Sequence, residues 1–338
     1  MSLKYARHEE LLMFLGHGLF AFALVALGGH AIGWSRERAL WLGVLAGAFA
    51  TVPDVDMLYA PIGLLGGANG LLDASEAFWN ASAVVHRTVT HSLVLGAAAA
   101  LAYGLVAVRY RSTVPARDRL AAVTAGVALL AGLVGTAAVV SGGLAAVVVA
   151  LFCLAGLAVA VSAARRGVDA HLVGATALIG LVTHPFGDLF TGEPPVMVYP
   201  FDVTVFAERV TLHPDPTLHL LGAFAVELAT IWFAAYALFT LTDRRFRDHL
   251  SPRAGLGAGY AAAALAIPAP TLSTSYPFVF SILPLASVGV VGAARGRMRP
   301  SPFPRYRPTL SDWPTALATG LAAVTLAAAG YTLAYLLV

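Results

Sequence analysis

A short polar run, the sequence HRTVTHS at residues 86–92, stands directly before an apolar segment long enough to lie in a membrane. The run supplies two imidazoles, one guanidinium and three hydroxyl groups. Ionisable side chains are costly inside a membrane and are usually kept there for function. The simpler interpretation is a solvated helix end, at which Ser and Thr cap the helix and Arg87 extends toward the lipid headgroups. Similar residues at other segment ends would favour the functional interpretation.

Three other apolar segments carry side chains near one end that bind metals or transfer protons. These side chains are His17, Asp54 and Asp56 of the sequence PDVD, and His184 and Asp188 of the sequence THPFGD. Taken singly, each has an ordinary explanation, such as a hydrogen-bonded core histidine or a solvated helix end. A carboxylate directly after a helix opposes the helix dipole, however, so Asp54 favours a cation nearby. Four polar segment ends together indicate a shared site.

The composition restricts the class of protein that can hold such a site. Of the 338 residues, 59% are hydrophobic and 12% are charged, whereas about 25% are charged in typical soluble domains. The sequence therefore predicts an all-α, polytopic integral membrane protein. The net charge of +3 comes from short basic clusters between apolar segments, which indicates membrane topology rather than nucleic-acid binding. Because Cys153 is the single cysteine, no intramolecular disulfide forms.

The apolar segments predict about ten transmembrane helices, because a helix needs about 20 apolar residues to cross a membrane. The prolines around the eighth and ninth segments leave an alternative of eight crossings with re-entrant segments. The first segment lacks a small-residue cleavage motif and is predicted to be an uncleaved helix. The predicted helices lie near residues 10–29, 38–53, 90–108, 120–140, 144–163, 170–187, 217–240, 254–269, 277–294 and 314–337.

The charges of the connecting loops predict which end of each helix faces the cytoplasm. Cytoplasmic loops accumulate Lys and Arg, and most of the 21 basic residues fall in alternate loops. The other loops hold most of the acidic residues and include the two longest connections, residues 54–85 and 188–216. The prediction is a multi-pass protein of the plasma (inner) membrane with both chain ends and the acidic face outside. Long ordered loops on one face often build a functional site.

This topology places the polar side chains at the outer-leaflet ends of predicted helices 1, 2, 3 and 6. Mixed His and Asp ligands suit zinc, with manganese or iron as further candidates, and the lack of thiolates disfavours a structural zinc site. Seven candidates exceed one tetrahedral shell, so either two ions bind, or one ion binds and the surplus residues orient its ligands or act as a base. The candidate ligands are His17, Asp54, Asp56, His86, His91, His184 and Asp188.

The order of these motifs resembles the YdjM-like family of inner-membrane-bound, predicted metal-dependent hydrolases. The resemblance rests on Gly16-His17 and on the sequences PDVD, HRTVTHS and HPFGD, and it covers about residues 10–202. It implies a membrane-embedded hydrolase-like site that uses the seven candidate ligands. The chain after about residue 216 departs from the short family pattern by adding four predicted helices. We therefore predict a hydrolase-like membrane domain at residues 1–216 and an accessory transmembrane bundle at residues 217–338.

The preferred hypothesis is a hydrolase that acts on a lipid or amphiphilic ester, above all a phosphoester, at the extracytoplasmic face. In this hypothesis Asp56 accepts a proton from water and Arg87 stabilises the developing anion. A metal-ion or proton transporter is the alternative, but it predicts polar residues that continue to the inner face, and predicted helices 1 to 6 lack them. A metal-stabilised protein without catalytic activity would need the same ligands, so the sequence does not separate it from an enzyme.

Overall fold

The computed structural model describes residues 10–58, 64–67, 70, 73–74, 77, 87–292 and 309–338. The chain divides into two compact units, unit 1 at Met1–Thr211 and unit 2 at Leu212–Val338. Within the described residues almost all regular structure is helical, apart from an antiparallel ladder between β1, Val291–Gly292, and β2, Thr309–Leu310. The predicted helical class is confirmed.

The described residues of unit 1 include five bounded α-helices and three short bounded 3-10 helices. Ser35 and Ser92 cap the starts of two helices, and their hydroxyl oxygens accept hydrogen bonds from backbone N–H groups two or three residues further along the chain. Such caps satisfy donors that have no partner inside the helix. The helices are α1 Glu10–Ala31, α2 Arg36–Ala50, α3 Leu93–Ala107, α4 Ala116–Arg165 and α5 Ala170–Gly187, and the 3-10 helices are Pro53–Met57, Val108–Tyr110 and Asp188–Phe190.

Helix α5 is central to unit 1 because it packs against α1, α2 and α3. Glycines let the backbones approach closely, as is common between helices in membranes. A Cβ atom at Gly180 would lie 2.5 Å from the carbonyl oxygen of Ala46 in α2, and one at Gly96 of α3 would lie 3.2 Å from Leu181. Close contact with three neighbours brings the ends of these helices to the end of α5.

The two helices predicted near residues 120–140 and 144–163 form one element, α4, of 50 residues with a break inside it. At about 1.5 Å per residue a straight helix of this length would reach about 75 Å, more than twice the bilayer core of about 30 Å. Gly142 interrupts the helical backbone with φ 85° and ψ −175°. A positive φ favours glycine, and its position agrees with the predicted boundary between the two helices.

Unit 2 contains three α-helices, and its middle part is less regular than predicted. The segments predicted near residues 254–269 and 277–294 form a 3-10 helix at Pro252–Leu265, a short α-helix, and a second 3-10 helix at Leu283–Gly289. Prolines near the starts of these elements remove hydrogen-bond donors and limit regular α-helix. The α-helices are α6 Pro216–Leu241, α7 Tyr276–Ile282 and α8 Trp313–Leu337, and a further 3-10 helix lies at Phe246–His249.

Six helical segments of the described chain are long and apolar enough to cross a membrane. One of the six is the broken helix α4, which accounts for two predicted crossings. Helix α1 from Gly16 and the segment Tyr276–Gly289 are shorter apolar helices. The chain is therefore a polytopic membrane protein, and the total of about ten crossings stays a prediction. The six segments are Arg36–Met57, Leu93–Tyr110, Ala116–Arg165, Ala170–Phe190, Pro216–Leu241 and Trp313–Leu337.

Candidate metal centre

The structure brings together six of the seven predicted ligands at the end of α5, and we call this group the His–Asp cluster. His86 lies outside the described residues. Four elements supply the side chains: α1, the 3-10 helix after α2, the segment before α3, and the end of α5 with its following 3-10 helix. All are buried except Asp54, which is partly exposed. The cluster consists of His17, Asp54, Asp56, His91, His184 and Asp188.

Three donor atoms lie close to the Nε2 atom of His184. The Nε2 atom of His184 lies 3.0 Å from Nε2 of His91, 3.4 Å from Oδ1 of Asp54 and 3.7 Å from Oδ2 of Asp188. The Nε2 atom of His91 lies 3.2 Å from the same Asp188 oxygen. Tetrahedral zinc with bonds of 2.0–2.2 Å needs donors about 3.3–3.6 Å apart. The four separations, from 3.0 to 3.7 Å, approach that range, so imidazole and carboxylate donors fit a zinc-sized ion beside Nε2 of His184.

Hydrogen bonds outside this group of donor atoms fix the tautomers of both imidazoles. The Nδ1 atom of His184 donates to the carbonyl oxygen of Ala50 at 2.7 Å. The Thr90 hydroxyl donates to Oδ2 of Asp56 at 2.6 Å and accepts from Nδ1 of His91 at 3.0 Å. Each ring therefore presents an Nε2 lone pair to the other. Two facing acceptors at 3.0 Å need a cation or a shared proton between them, and this orientation is typical of metal-binding histidines.

A second group of donors shares two members with the first. Oδ1 of Asp188 lies 3.3 Å from Nε2 of His17, while its Oδ2 faces His91 and His184. His17, His184 and Asp188 form one possible ligand group, and Asp54, His91 and His184 form another. Gly187 makes room for the ring of His17, because a Cβ atom at Gly187 would lie 2.5 Å from its Nδ1. The two oxygens of Asp188 therefore contact imidazoles of both groups.

Arg87 is the basic residue of the site, and its backbone adopts the left-handed conformation with φ 64°. Its NH2 atom lies 3.0 Å from Oδ1 of Asp188. The guanidinium also donates to the backbone oxygen of Thr191 at 2.6 Å and to its hydroxyl at 3.2 Å. Arg87 is buried and held by these contacts. The geometry makes it a positioning partner of Asp188, and its predicted role toward a substrate stays a prediction.

The segment after α5 closes one side of the cluster. Ser92 donates to the carbonyl oxygen of Tyr199 at 2.7 Å, and the amide of Leu93 donates to that of Met197 at 2.8 Å. The amide of Val196 donates to the carbonyl oxygen of Arg87 at 3.0 Å. The polar run at the start of α3 therefore has two uses: it contributes His91 to the cluster and attaches the following segment to it.

The charges of the cluster do not balance on their own. Asp54, Asp56 and Asp188 bring three carboxylates, and Arg87 is the permanently charged cation that contacts them among the described residues. An uncompensated buried charge costs several kcal/mol. Protonated histidines or bound metal ions would restore neutrality, and the facing Nε2 atoms favour the metal. Among the described residues, this excess of carboxylates fits a divalent cation.

Sequence reasoning missed the residues that orient these side chains. Thr90 joins Asp56 to His91, and it lies inside the polar run, so its position beside a ligand was a signal. Gly187 lies inside the sequence HPFGD, but only the structure shows that the ring of His17 occupies the space where a side chain at Gly187 would lie. The carbonyl of Ala50 has no side-chain signal at all, because any residue supplies a carbonyl group.

A family model described as YdjM inner membrane protein matches residues 12–247, which is more than half of the chain. The match covers the whole His–Asp cluster. It also extends beyond the segment 10–202 that the motifs indicated and includes α6. No curated protein and no solved structure matches the chain.

Proposed function

Since the chain belongs to the YdjM inner membrane protein family, we propose that it is a membrane-embedded, metal-dependent hydrolase of a lipid or amphiphilic phosphoester. The observation that carries this proposal is the pair of Nε2 atoms, from His91 and His184, that face each other at 3.0 Å beside buried carboxylates. Such a donor set suits zinc, with manganese or iron as further candidates.

We assign the first metal position to His91, His184 and Asp188, with Asp54 beside it as the proton acceptor. If two ions bind, His17 and the second oxygen of Asp188 hold the other. A bound divalent metal polarises a phosphoryl oxygen and lowers the pKa of water to about 7. The chain's own residues hold the donors in place: the Ala50 carbonyl orients His184, and Thr90 with Asp56 orients His91.

The carboxylate that accepts a proton is, in this proposal, Asp54 rather than the predicted Asp56. Asp56 is fully buried behind His91 and accepts the Thr90 hydroxyl, so it acts on the site by positioning the imidazole. The side chain of Asp54 is 9% exposed, the most in the cluster, and its Oδ1 lies 3.4 Å from Nε2 of His184. It therefore combines contact with the donor atoms and the largest side-chain exposure in the cluster.

The proposal places the site at the extracytoplasmic face. Its support is the distribution of basic residues, because α2 begins at Arg36 and α4 ends at Arg165. Cytoplasmic loops accumulate such residues. The cluster lies beyond the other end of α2, at Asp54 and Asp56. A pocket at that end would receive a substrate from the outer leaflet.

A transporter is disfavoured by the polar residues of unit 1. Conduction of ions or protons needs ionisable or hydrated groups along the whole membrane depth. Among the described residues of unit 1, Thr176 is the buried polar residue outside the cluster and the segments that hold it. Its hydroxyl donates to a carbonyl of its own helix, that of Leu172, at 2.7 Å. The polar region is therefore one-sided, as a catalytic pocket requires.

The metal content of the detergent-purified protein tests the proposal directly. We expect one or two equivalents of a divalent metal by mass spectrometry in the wild type, and close to none in His91→Ala/His184→Ala. His171→Ala is the matched control, because this histidine is exposed and outside the cluster, so its metal content should equal that of the wild type. The wild type should then hydrolyse short-chain phospholipids or other phosphoesters.

Each result has a separate meaning. A wild type without metal, even after reconstitution with zinc, manganese or iron, would overturn the metal centre. Metal retained in the double variant would move the ligand set elsewhere. Metal bound by the cluster without hydrolysis of any phosphoester would leave the cluster intact and overturn the hydrolase.

A further inference from the structure

A groove in unit 1 lies between α2, the second half of α4 and the start of α5, and it has a volume of about 970 Å³. Its walls are mostly apolar and include Trp41, Leu45, Val159 and Leu172. Two basic side chains, Arg38 and Arg166, lie on its rim. We call this feature the arginine groove. Neither the proposed hydrolase site nor any predicted motif includes these residues.

The arginine groove is remote from the His–Asp cluster. Arg38 stands in the first turn of α2, whereas Asp54 follows the end of the same helix. The 16 residues between these two positions correspond to about 24 Å along a helix at 1.5 Å per residue. This separation approaches the bilayer core of about 30 Å. The groove and the cluster therefore lie at opposite membrane faces, and the groove is not part of the substrate pocket.

The walls of the groove require an apolar occupant. Trp41 is 61% exposed and Val44 is 53% exposed, and both belong to Arg36–Met57, a segment that is apolar enough to cross a membrane. Apolar surface at this depth faces lipid rather than water. Trp34 and Trp41 stand near the start of the segment, where aromatic side chains mark the level of the headgroups. An acyl chain of the surrounding bilayer matches these walls.

The charged side chains on the rim of the groove determine which lipid headgroup it prefers. The guanidinium of Arg38 lies 5.3 Å from the ring centre of Trp34, and Arg166 donates to the carbonyl oxygen of Ser162 at 2.9 Å. Both side chains are exposed and keep further donors toward the rim. Two acidic residues also line the groove, but Asp169 is paired with Arg111, which leaves Glu37 against two arginines. The rim is therefore net positive.

Helix α2 adds to this preference for an anion. Its N-terminus, capped by Ser35, opens onto the same rim. Backbone N–H groups and the positive end of the helix dipole favour a phosphate there. The arginine groove thus combines apolar walls at the depth of acyl chains with positive charge at the depth of headgroups.

We propose that the arginine groove binds one anionic phospholipid of the surrounding bilayer. The phosphate lies between Arg38 and Arg166, and an acyl chain lies along Trp41, Leu45 and Leu172. Basic pockets between membrane helices bind anionic headgroups in this manner. The bound lipid fills the space between α2 and α4, and it supports α2, the helix that carries Asp54 and Asp56 at its far end.

The test uses the full-length protein in detergent with added phosphatidylglycerol or phosphatidylcholine. Native mass spectrometry counts the retained lipids, and a thermal unfolding assay measures the apparent affinity for each lipid. We expect the wild type to retain one phosphatidylglycerol molecule and to prefer it to phosphatidylcholine. Each arginine near a lipid surface contributes about 1 kcal/mol, so Arg38→Gln/Arg166→Gln should weaken phosphatidylglycerol binding at least about tenfold.

Two further variants separate lipid binding from general effects. Arg117→Gln/Arg245→Gln removes the same charge from exposed positions outside the groove and should bind phosphatidylglycerol like the wild type. Ala158→Trp places a large side chain in the groove at an exposed position, and it should lose the retained lipid while both arginines remain. The unfolding temperature without added lipid serves as the check that each variant is folded.

The outcomes are decisive in either direction. Loss of the retained phosphatidylglycerol in both groove variants, but not in the charge control, would support the proposal. Equal retention of phosphatidylcholine by the wild type would overturn the selection by headgroup. Equal loss in the charge control would show that net charge, rather than the groove, attracts the lipid, and unchanged retention in Ala158→Trp would place the lipid elsewhere.

Discussion

The two units of this protein fill their interiors in opposite ways. In unit 1, imidazoles, carboxylates and a guanidinium contact one another in the interior at the end of α5. In unit 2, the described ion pairs include exposed groups, as between Arg247 and Asp248. Charges that are exposed contribute little to stability, whereas a buried pair costs desolvation and becomes indispensable once it is formed. Unit 1 therefore gathers its buried ionisable groups into one cluster, whereas the described ion pairs of unit 2 include exposed groups.

Unit 2 depends instead on close contact between backbones and between rings. A Cβ atom at Gly320 of α8 would lie 2.6 Å from the carbonyl oxygen of Ala286. The rings of Phe278 and Tyr331 lie 5.1 Å apart at a steep angle, and Phe224 lies 5.5 Å from Phe278. Such aromatic pairs stabilise a core beyond the area they bury. Small residues and rings form these close contacts of unit 2, which also buries the ionisable side chains of His219 and Glu227.

The comparison predicts its largest effect, a loss of stability together with bound metal, for the substitution Asp188→Asn. The substitution keeps the shape of the side chain but leaves Arg87 and three imidazoles with less negative charge. Breaking a buried pair costs about 3–5 kcal/mol, and we expect a loss of that size in the free energy of unfolding together with loss of bound metal. Denaturant unfolding of the purified protein measures it. Thr176→Val, which removes a buried hydroxyl outside the cluster, should cost far less, and an equal cost would break the comparison.

A smaller loss is expected in unit 2 from Gly320→Ala. The added methyl group meets the backbone of Ala286, which cannot turn away like a side chain. Overfilling a close contact costs about 1–3 kcal/mol. The same assay measures it, with Gly259→Ala as the control, because no atom lies within 4 Å of a Cβ atom at Gly259. Metal content should be unchanged in both variants, and a loss of metal in Gly320→Ala would show that the units are not separate in function.

The same contrast explains what the sequence could predict. Ionisable side chains, which are costly to bury in a membrane, stand out in an apolar sequence. Examples are His17, Asp54, His91, His184 and Asp188. Their convergence followed from helix order and alternation across the membrane. Their roles as ligands stay predictions until metal is measured.

Structural features formed by common residues or by the backbone could not be predicted from the sequence. The long 3-10 helix at Pro252–Leu265 has an Ala- and Gly-rich sequence that resembles an ordinary apolar helix. The left-handed backbone of Arg87 has no sequence signal, because it is maintained by contacts with Asp188 and Thr191. The break in α4 was predictable in position, since the apolar run was too long for one crossing, but its conformation at Gly142 was not.

Thr90→Val sharpens the comparison within unit 1, because it removes a neutral link rather than a charge. The substitution keeps the shape and deletes the hydroxyl between Asp56 and His91. Leaving buried groups without this partner costs about 1–3 kcal/mol, and loss of such an orienting contact lowers metal affinity about 10–100-fold. Competition with a chelator measures the affinity. Thr90→Ser restores the hydroxyl and should bind metal nearly like the wild type, and equal affinities in all three proteins would refute the link.

The smallest predicted effect concerns Asp215 of unit 2, a carboxylate that is partly exposed to solvent. Asp215 caps α6 and accepts a hydrogen bond from the amide of Leu218 at 2.8 Å and another from the hydroxyl of Tyr335. The hydrogen bond from Leu218 is the largest cause that lowers the pKa of Asp215 below that of an unperturbed aspartate. Because the folded pKa is depressed, the ionised group stabilises the fold above the unfolded pKa, and this stabilisation is lost as the pH falls through the folded pKa.

Asp215→Asn isolates that charge, because asparagine also caps helices well. The melting temperature of the variant should lie slightly below that of the wild type at pH 7, and the difference should disappear once Asp215 is protonated in acid. Thermal unfolding of both proteins from neutral pH to below pH 4 follows the change. A difference that persists in acid would mean that shape rather than charge is responsible. A difference as large as that of Asp188→Asn would show that unit 2 also depends on an essential charge, which its exposed ion pairs and glycine contacts argue against.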